Sequence, residues 1–473
     1  MIEGLRPYAQ YQDSGVLWLG QIPDHWALKP NRAIFDEVKD RGHAKEEMLS
    51  VTITRGIVRQ RSLLADSSKK DGSNLNKDAY KLVQPRDIAY NKMRAWQGAL
   101  GASSLRGIIS PAYVVMRPRA DVNPWYYHYL YRTASFAKEA ERWSYGITSD
   151  MWSLRPEHFK VISSVLPPPD EQAAIVRFLD HARQKIDGFI RNKGKLIGLL
   201  NEQKQAIIRR AVTRGLNPNI ALKPSDIAWL GNIPEHWEIW RISRFARVGN
   251  GSTPSRSNPG FWSGGDYPWL NSSQVNRGFI DGADQFVTST ALRECHLPRV
   301  PAGSVLVAIT GQGRTRGTSA VLGIEATINQ HIAYMTPRPL IVSAEFLHLS
   351  FVAAYGTLRA MSEDSGSTKG ALTCEDLKRF KIAVPPINEQ NQLVLAVQAE
   401  TRATNDAMTR TEREIALMQE YRTRLTADIV TGKLDVREAA ARLPDLPADT
   451  AVDPVDDGLE PAGIADDTDT EEE

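Results

Sequence analysis

The hydrophobic pattern predicts two long helices. In two proline-free stretches of about forty residues, apolar side chains recur at alternating spacings of three and four. This spacing is typical of a helix whose single apolar stripe packs against another helix as a coiled coil. We place the helices at residues 166–215 and 384–434. Their seams are Ile175, Leu179, Ile186, Phe189, Leu196, Leu200 and Ile207 in the first, and Leu393, Val397, Met408, Ile415, Met418 and Leu425 in the second.

The two predicted helices belong to an internal repeat. Pro167–Gln172 opens the first helix, and Pro385–Gln390 opens the second with a similar sequence, 218 residues later. Gly20–Trp26 returns as Gly231–Trp237 at an offset of 211, so the second copy is seven residues longer between the two motifs. Equivalent units usually pack about a twofold axis. An axis perpendicular to the helices makes them antiparallel, and each becomes the partner of the other.

The segments before the two helices predict globular domains. Residues 1–165 and 216–383 contain short apolar, β-branched runs such as Ser304–Ile309, bounded by glycine, proline or serine, which is the pattern of strands. The predicted fold class is therefore α+β. It consists of two globular α/β domains with curled sheets, joined by two long antiparallel coiled-coil helices in a pseudo-twofold arrangement. Residues 435–473 are predicted to be an acidic disordered tail.

Charge and composition narrow the choice of partner. The net charge of +2 conceals 12 acidic residues and one basic residue between Ala441 and Glu473; the rest of the chain has 57 basic and 44 acidic residues. This excess of positive charge favours an anionic partner, and nucleic acid is one candidate. Cys295 and Cys374 form neither a disulfide framework nor a zinc pattern. With no signal peptide and no membrane-spanning run, we expect a cytoplasmic protein.

No motif predicts catalysis, and we assign no catalytic or metal-binding residue. A phosphate-binding loop and a zinc-protease motif are both absent from the sequence. Three polar loops do carry side chains suited to base edges and phosphates. For each loop alone, an ordinary solvated surface is the simpler explanation. The predicted DNA-binding residues are Lys92, Arg94, Trp96 and Gln97 in the first loop, Ser252, Thr253 and Arg256 in the second, and Gln312, Arg314 and Arg316 in the third.

From Leu5 to Leu434 the chain resembles the specificity subunits of Type I restriction–modification systems. The duplicated Gly20–Trp26 motif and the two Pro-Pro-x-x-Glu-Gln helix starts carry the resemblance throughout. Shorter motifs in the two middles add to it, namely Tyr90–Arg94, Ile109–Tyr113, Gly251–Pro254, Tyr267–Leu270 and Ile328–His331.

The resemblance implies a DNA-reading protein without catalytic activity. Each domain would read one half of a split site in double-stranded DNA. The helices would fix the spacing and dock two methyltransferase subunits, and restriction subunits (nuclease and translocase) would join that core. S-adenosylmethionine and ATP with Mg²⁺ are then expected on the partner subunits, with no cofactor on this chain. The alternative is a non-catalytic adaptor that bridges DNA through two related domains and has no link to methylation.

Overall fold

The computed structural model describes residues 5–64, 77–146, 152–311, 315–363 and 370–444. The chain divides into two compact units. Unit 1 comprises Met1–Asn192 and Glu414–Glu473, and unit 2 comprises Lys193–Arg413. Each unit therefore contains one globular domain and part of each long helix. No helix in the described part of the chain is long and apolar enough to cross a membrane.

The strands and helices up to the end of the first long helix are short apart from that helix. In chain order they are β1 (Tyr11–Asp13), β2 (Gln21–Pro23), β3 (Ala27–Pro30), β4 (Phe35–Val38), β5 (Leu49–Thr52), β6 (Gly56–Arg59), α1 (Gln60–Leu64), β7 (Lys81–Val83), β8 (Ile88–Asn91), β9 (Leu100–Ala102), β10 (Gly107–Ile109), β11 (Tyr113–Pro118), α2 (Pro124–Tyr131), α3 (Ala134–Arg142), α4 (Pro156–Val161), β12 (Ser163–Leu166) and α5 (Pro169–Arg214).

The second part of the chain follows a similar order. Its elements are β13 (Leu222–Pro224), β14 (Asn232–Pro234), β15 (Glu238–Arg241), β16 (Ala246–Asn250), β17 (Tyr267–Leu270), β18 (Phe279–Ile280), β19 (Gln285–Val287), α6 (Ser289–Glu294), β20 (Val305–Ala308), β21 (Ser319–Leu322), β22 (Thr327–Ile328), β23 (Ile332–Pro337), α7 (Ala344–Ala353), α8 (Tyr355–Glu363), α9 (Cys374–Arg379), β24 (Lys381–Val384), α10 (Ile387–Val430) and α11 (Arg437–Ala441).

Each of the two domains has its own central sheet. The two sheets are similar, and the domains differ in the strands around them. The strand order is β4-β11-β8-β9 in unit 1 and β16-β23-β20-β21-β18 in unit 2. In both, the strand entering the domain pairs antiparallel with the strand leaving it, β3 with β12 and β15 with β24. Unit 1 adds the pairs β5-β6 and β7-β10, whereas unit 2 adds the three-stranded sheet β19-β17-β22. The structural differences thus fall in the middle segments, where the two sequences diverge.

The repeated sequence motifs bind each globular domain to the start of a helix. In unit 1, Nε2 of His25 lies 2.9 Å from Oε2 of Glu171. In unit 2, Nε2 of His236 lies 2.8 Å from Oε2 of Glu389. The Glu389 carboxylate also accepts a hydrogen bond from the indole N–H of Trp237. The duplicated histidine and glutamate therefore make the same contact in both copies.

Within each unit, the segments of the two long helices run antiparallel. In unit 1, Asn123 and Tyr126 of the globular domain contact Gln172 at the start of α5 and Val430 at the end of α10. Further along α5, Asp187 forms an ion pair of 2.5 Å with Arg422, which precedes Val430 in α10. In unit 2, Gly215 lies beside Glu389, and Arg210 bonds Glu400 at 2.8 Å. In both units the two helix segments therefore run in opposite directions.

The buried seam of the helices follows most of the predicted positions. In unit 1 the side chains of Ile175, Leu179, Ile186, Ile415 and Leu425 are buried, and Met418 is half-buried. In unit 2 those of Ile207, Leu393 and Val397 are buried, and Leu200 and Met408 are half-buried.

Two predicted seam positions need correction. Phe189 in unit 1 and Leu196 in unit 2 are exposed, at 36% and 39%, while Ile190 is buried at 7%. The physical reason is the period of the helix. The predicted heptad repeats every 3.5 residues, whereas an α-helix turns every 3.6 residues, so the apolar stripe moves by one residue over several turns.

The boundary of the predicted acidic tail is also corrected. Residues 435–444 fold against unit 1, and only residues 445–473 of the predicted tail lie outside the described residues. Val436 is fully buried and Ala440 nearly so, and Arg437 forms an ion pair with Asp435. Acidic composition predicts disorder over a long segment, but it does not resolve the few apolar residues that anchor its beginning.

Candidate nucleic-acid interface

In unit 1, the predicted DNA-binding residues lie on the loop that joins β8 to β9. The backbone N–H of Asn91 donates to Ala99 O, and that of Gln97 donates to Arg94 O. A buried alanine, Ala95, anchors the loop to the domain. These bonds close the loop on itself, so its side chains are held at the end of the central sheet.

The side chains of this loop divide into structural and accessible ones. Trp96 is half-buried, stands edge-on to Trp152 with the ring centres 5.6 Å apart, and donates from its indole N–H to Met93 O. Arg94 and Gln97 are exposed and Lys92 is half-buried. Trp96 therefore supports the loop, whereas Lys92, Arg94 and Gln97 are available to a ligand.

A buried lysine adds to the positive charge near this loop. Lys81 is 7% exposed, and its ammonium donates to the backbone carbonyl of Tyr113. Its pKa is lowered, chiefly because burial disfavours the charged form and further because Lys92, Arg41 and Lys39 are nearby cations; Glu37 acts in the opposite direction. Lys92, Arg41 and Lys39 thus each lie close enough to Lys81 to disfavour its charge, which favours an anionic ligand at this end of the sheet.

In unit 2, the loop after β16 crosses close to another segment. At Gly251 an added Cβ atom would lie 1.7 Å from the carbonyl oxygen of Ile328, so only glycine allows this approach. Ser252 N–H donates to the same oxygen at 3.0 Å. The close contact brings Ser252 and Thr253 beside the turn that connects β22 to β23.

Arg256 is held in place on the same loop. Its guanidinium lies over the ring of Trp262 at 3.9 Å and near that of Trp269 at 4.9 Å. It also donates to Oε1 of Gln285 at 2.9 Å. Stacking fixes the guanidinium plane while the residue stays exposed, an arrangement suited to a phosphate or a guanine edge.

Three loops of unit 2 converge at one end of its central sheet. The backbone N–H of Ile309, after β20, donates to His331 O, before β23. The hydroxyl of Thr253 donates to Oε1 of Gln330 at 2.5 Å, and Oγ1 of Thr310 lies 2.6 Å from Nδ1 of His331. We call Thr253, Thr310, Gln330 and His331 the polar cluster. It is a connected set of hydrogen-bond donors and acceptors on the surface.

The third predicted loop divides differently. Gln312 and Arg314 lie outside the described residues. Arg316 is 8% exposed and donates from Nη1 to Gly370 O at 2.8 Å, with Glu363 at 3.5 Å from Nη2. The structure places Arg316 in the interior of unit 2, where it holds backbone in position.

Sequence reasoning missed Lys81 and three members of the polar cluster, Thr310, Gln330 and His331. A signal was present for the last two, because Asn329-Gln330-His331 is a short polar run between apolar residues and is typical of a turn. Lys81 gave no signal, since a lysine beside apolar residues usually lies with its charge in water.

Comparisons with known proteins show which family the chain is similar to. A family model described as the Type I restriction modification DNA specificity domain matches residues 234–417. The specificity subunit of the Escherichia coli Type I restriction enzyme EcoR124I/EcoR124II is 25% identical over 256 residues, covering 51% of this chain but only 63% of that subunit. The EcoKI specificity subunit of Escherichia coli K12 is 21% identical over 477 residues, covering 91% of this chain and 97% of that subunit.

A solved structure supports the same fold. A chain from a structure concerned with complex assembly and conformational transition of the type I R-M system superposes with a TM-score of 0.59 at 14% identity, covering 86% of this chain and 98% of that one. The predicted fold class, two mixed α/β domains with two long helices, is confirmed. Residues 234–417 thus match a DNA specificity domain, and the chain is similar to the specificity subunits of Type I restriction–modification systems.

Proposed function

We propose that this chain reads a bipartite DNA site for a Type I restriction–modification complex, with one recognition domain for each half-site. One observation supports this most strongly. Units 1 and 2 each have a similar central sheet and the same contacts at the start of the helix. At the end of the sheet where the polar loops lie, however, each unit has a different set of polar side chains. A common frame with two different reading surfaces is what recognition of two unlike half-sites requires.

The chain itself is proposed to be non-catalytic. The accessible residues of the two surfaces are cations, amides and hydroxyls, which bind phosphates and base edges. Methylation is assigned to two methyltransferase subunits that dock on the long helices, with S-adenosylmethionine bound there. Restriction subunits that use ATP and Mg²⁺ complete the complex. The EcoR124I/EcoR124II and EcoKI relatives are named as specificity subunits of such enzymes.

Sequencing of methylated bases tests this proposal. The chain is expressed with its methyltransferase subunit in a host that lacks other modification enzymes, and methylated positions are mapped across the genome. The expected result is a single split motif with a fixed gap. Methylation that needs this chain but shows no sequence preference would refute the proposal, and so would failure of the methyltransferase to copurify with it.

Two variants separate the roles of the parts. Exchange of residues 38–155 for another recognition domain is expected to change one half-site and leave the other. Removal of one heptad from each long helix is expected to change the gap and leave both half-sites. Altered half-sites with an unchanged gap in the second variant would contradict the role proposed for the helices.

A further inference from the structure

The backbone around Gln330 is fixed by a buried neighbour. Asn329 is 5% exposed, and its backbone N–H donates to Leu270 O at 3.0 Å. Its side-chain oxygen accepts a hydrogen bond from the N–H of His331 at 3.1 Å, which closes a tight turn. Gln330 stands at the tip of this turn with its side chain exposed. The amide is therefore presented from a rigid base.

The hydrogen bonds of the polar cluster also hold the amide in place. Oε1 of Gln330 accepts from the Thr253 hydroxyl, and its Nε2 lies 3.3 Å from Nε2 of His331. His331 Nδ1 lies in turn 2.6 Å from Oγ1 of Thr310. The three contacts form one chain from Thr253 through Gln330 and His331 to Thr310, and this chain holds the amide in place.

The fixed amide still offers one donor and one acceptor. Among the residues that the structure describes, the bonds to Thr253 and His331 use one lone pair of Oε1 and one N–H of Nε2. An amide oxygen has a second lone pair and an amide nitrogen has a second N–H, and the Gln330 side chain is exposed. A donor next to an acceptor matches the N7 acceptor and N6 donor that adenine presents in the major groove.

We propose that Gln330 reads an adenine in the half-site bound by unit 2, and that Thr253, His331 and Thr310 act as positioning residues for its amide. Guanine presents two acceptors, N7 and O6, on the same edge. To bind it, the amide oxygen would face O6, or the amide would rotate and lose its bonds to Thr253 and His331. The cluster thus favours adenine over guanine. This inference rests on the function proposed above.

Base substitution at the half-sites tests the proposal. The complex of the full chain with its methyltransferase is titrated with synthetic duplexes that carry the mapped site and single base-pair changes. For the wild type, an A·T pair at one position of the unit 2 half-site is expected to be preferred by about 5- to 100-fold. Gln330→Ala should reduce this preference to under about threefold and leave every other position unchanged.

Two further variants sharpen the result. Gln330→Glu replaces the donor by a second acceptor, so the preference at that position should move toward cytosine, whose N4 donates. His331→Phe removes the ring nitrogen that bonds the amide. It should lower the adenine-to-guanine ratio more than it lowers binding to the adenine duplex, an effect that a merely structural role would not produce. Gln10→Ala, an exposed glutamine outside the long helices and the polar loops, is the matched control.

The outcomes distinguish the two proposals. If the wild-type complex binds its split site but Gln330→Ala and Gln330→Glu keep its base preference at all positions, the assignment of Gln330 is refuted and the proposed function stands. If the wild-type complex shows no sequence preference, both fail. Should Gln330→Ala not fold, the base preference of Gln330→Glu decides the question.

Discussion

Replacing Gln390 by alanine tests how strongly the helix-start motif holds unit 2 together. Its amide is fully buried and makes three hydrogen bonds. Oε1 accepts from Ser343 N–H at 3.0 Å, while Nε2 donates to the carbonyls of Ile341 and Pro385, both at 2.8 Å. The substitution removes the amide and leaves the Ser343 N–H and the two carbonyl oxygens without this hydrogen-bond partner.

The expected cost follows from these three groups. A buried polar group without a partner costs about 1–3 kcal/mol. Ser343 and Ile341 are only half-buried, so water reaches them in part, and we expect a loss of about 3–5 kcal/mol in the free energy of unfolding. In unit 1, Gln172 makes two such bonds, to Asn123 N–H and Pro167 O. Gln172→Ala should therefore cost about 2–4 kcal/mol.

Urea unfolding followed by tryptophan fluorescence gives the stability of each variant. Amide hydrogen exchange adds a local measurement, since the Ser343 N–H should lose its protection in Gln390→Ala. Gln392→Ala lies two residues further along the same helix and is exposed, so it should change stability by under about 0.5 kcal/mol. The reasoning is refuted if Gln390→Ala loses no more stability than Gln392→Ala, or if Ser343 keeps its protection.

Four other substitutions have defined outcomes. Arg316→Ala should destabilise unit 2 by about 1–3 kcal/mol in urea and leave the salt dependence of DNA binding unchanged; a smaller salt slope at full stability would contradict its interior position. Lys92→Ala and Arg94→Ala should each lower the slope of log K against log salt by about 0.9 for a lost phosphate contact, with the exposed Arg142→Ala as a control that keeps the slope in fluorescence anisotropy. Burial, with a smaller effect from Lys204, lowers the pKa of His348 to about 4. As the pH falls, the imidazole is therefore protonated in the unfolded chain before it is protonated in the folded one. Up to about 3 kcal/mol of the free energy of unfolding, which is present above pH 6.5, should be lost as the pH falls toward 4. His348→Gln should reduce this loss between pH 7.5 and pH 5, and an unchanged loss of urea stability would exclude His348 as its source.

The long helices and the repeat were predictable because their signals are local and periodic. A stripe such as Ile175, Leu179 and Ile186 can be read from spacing alone. The two errors in the seam, Phe189 and Leu196, arose where a small difference in period accumulated over several turns. The prediction of disorder at the beginning of the tail was wrong for another reason. Val436 and Ala440 are buried by contacts within unit 1, and amino-acid composition does not reveal such contacts.

The reading surfaces were predictable only in part. Polar loops could be found from residue type, and Arg94, Gln97 and Arg256 are exposed on them. Which loops meet depends on strand pairing across β16, β20 and β23, and this is set by distant parts of the chain. Arg316 and Gln330 show the consequence. Arg316 was predicted to bind DNA because of its charge, but it is buried. Gln330 was not predicted to bind DNA, but it stands at the tip of an exposed turn.

The division of the helices between the units has a consequence for biosynthesis. Unit 2 is one continuous segment, Lys193–Arg413, whereas unit 1 needs Glu414 and the residues after it. Ile175, Leu179 and Ala182 pack in one core with Leu425 and Ile429, which the ribosome adds about 240 residues later. At roughly 5–20 residues per second this is a delay of about 10–50 s. During that time the apolar stripe of the nascent first helix lacks the side chains of the second helix that cover it, and it is a natural substrate for a chaperone.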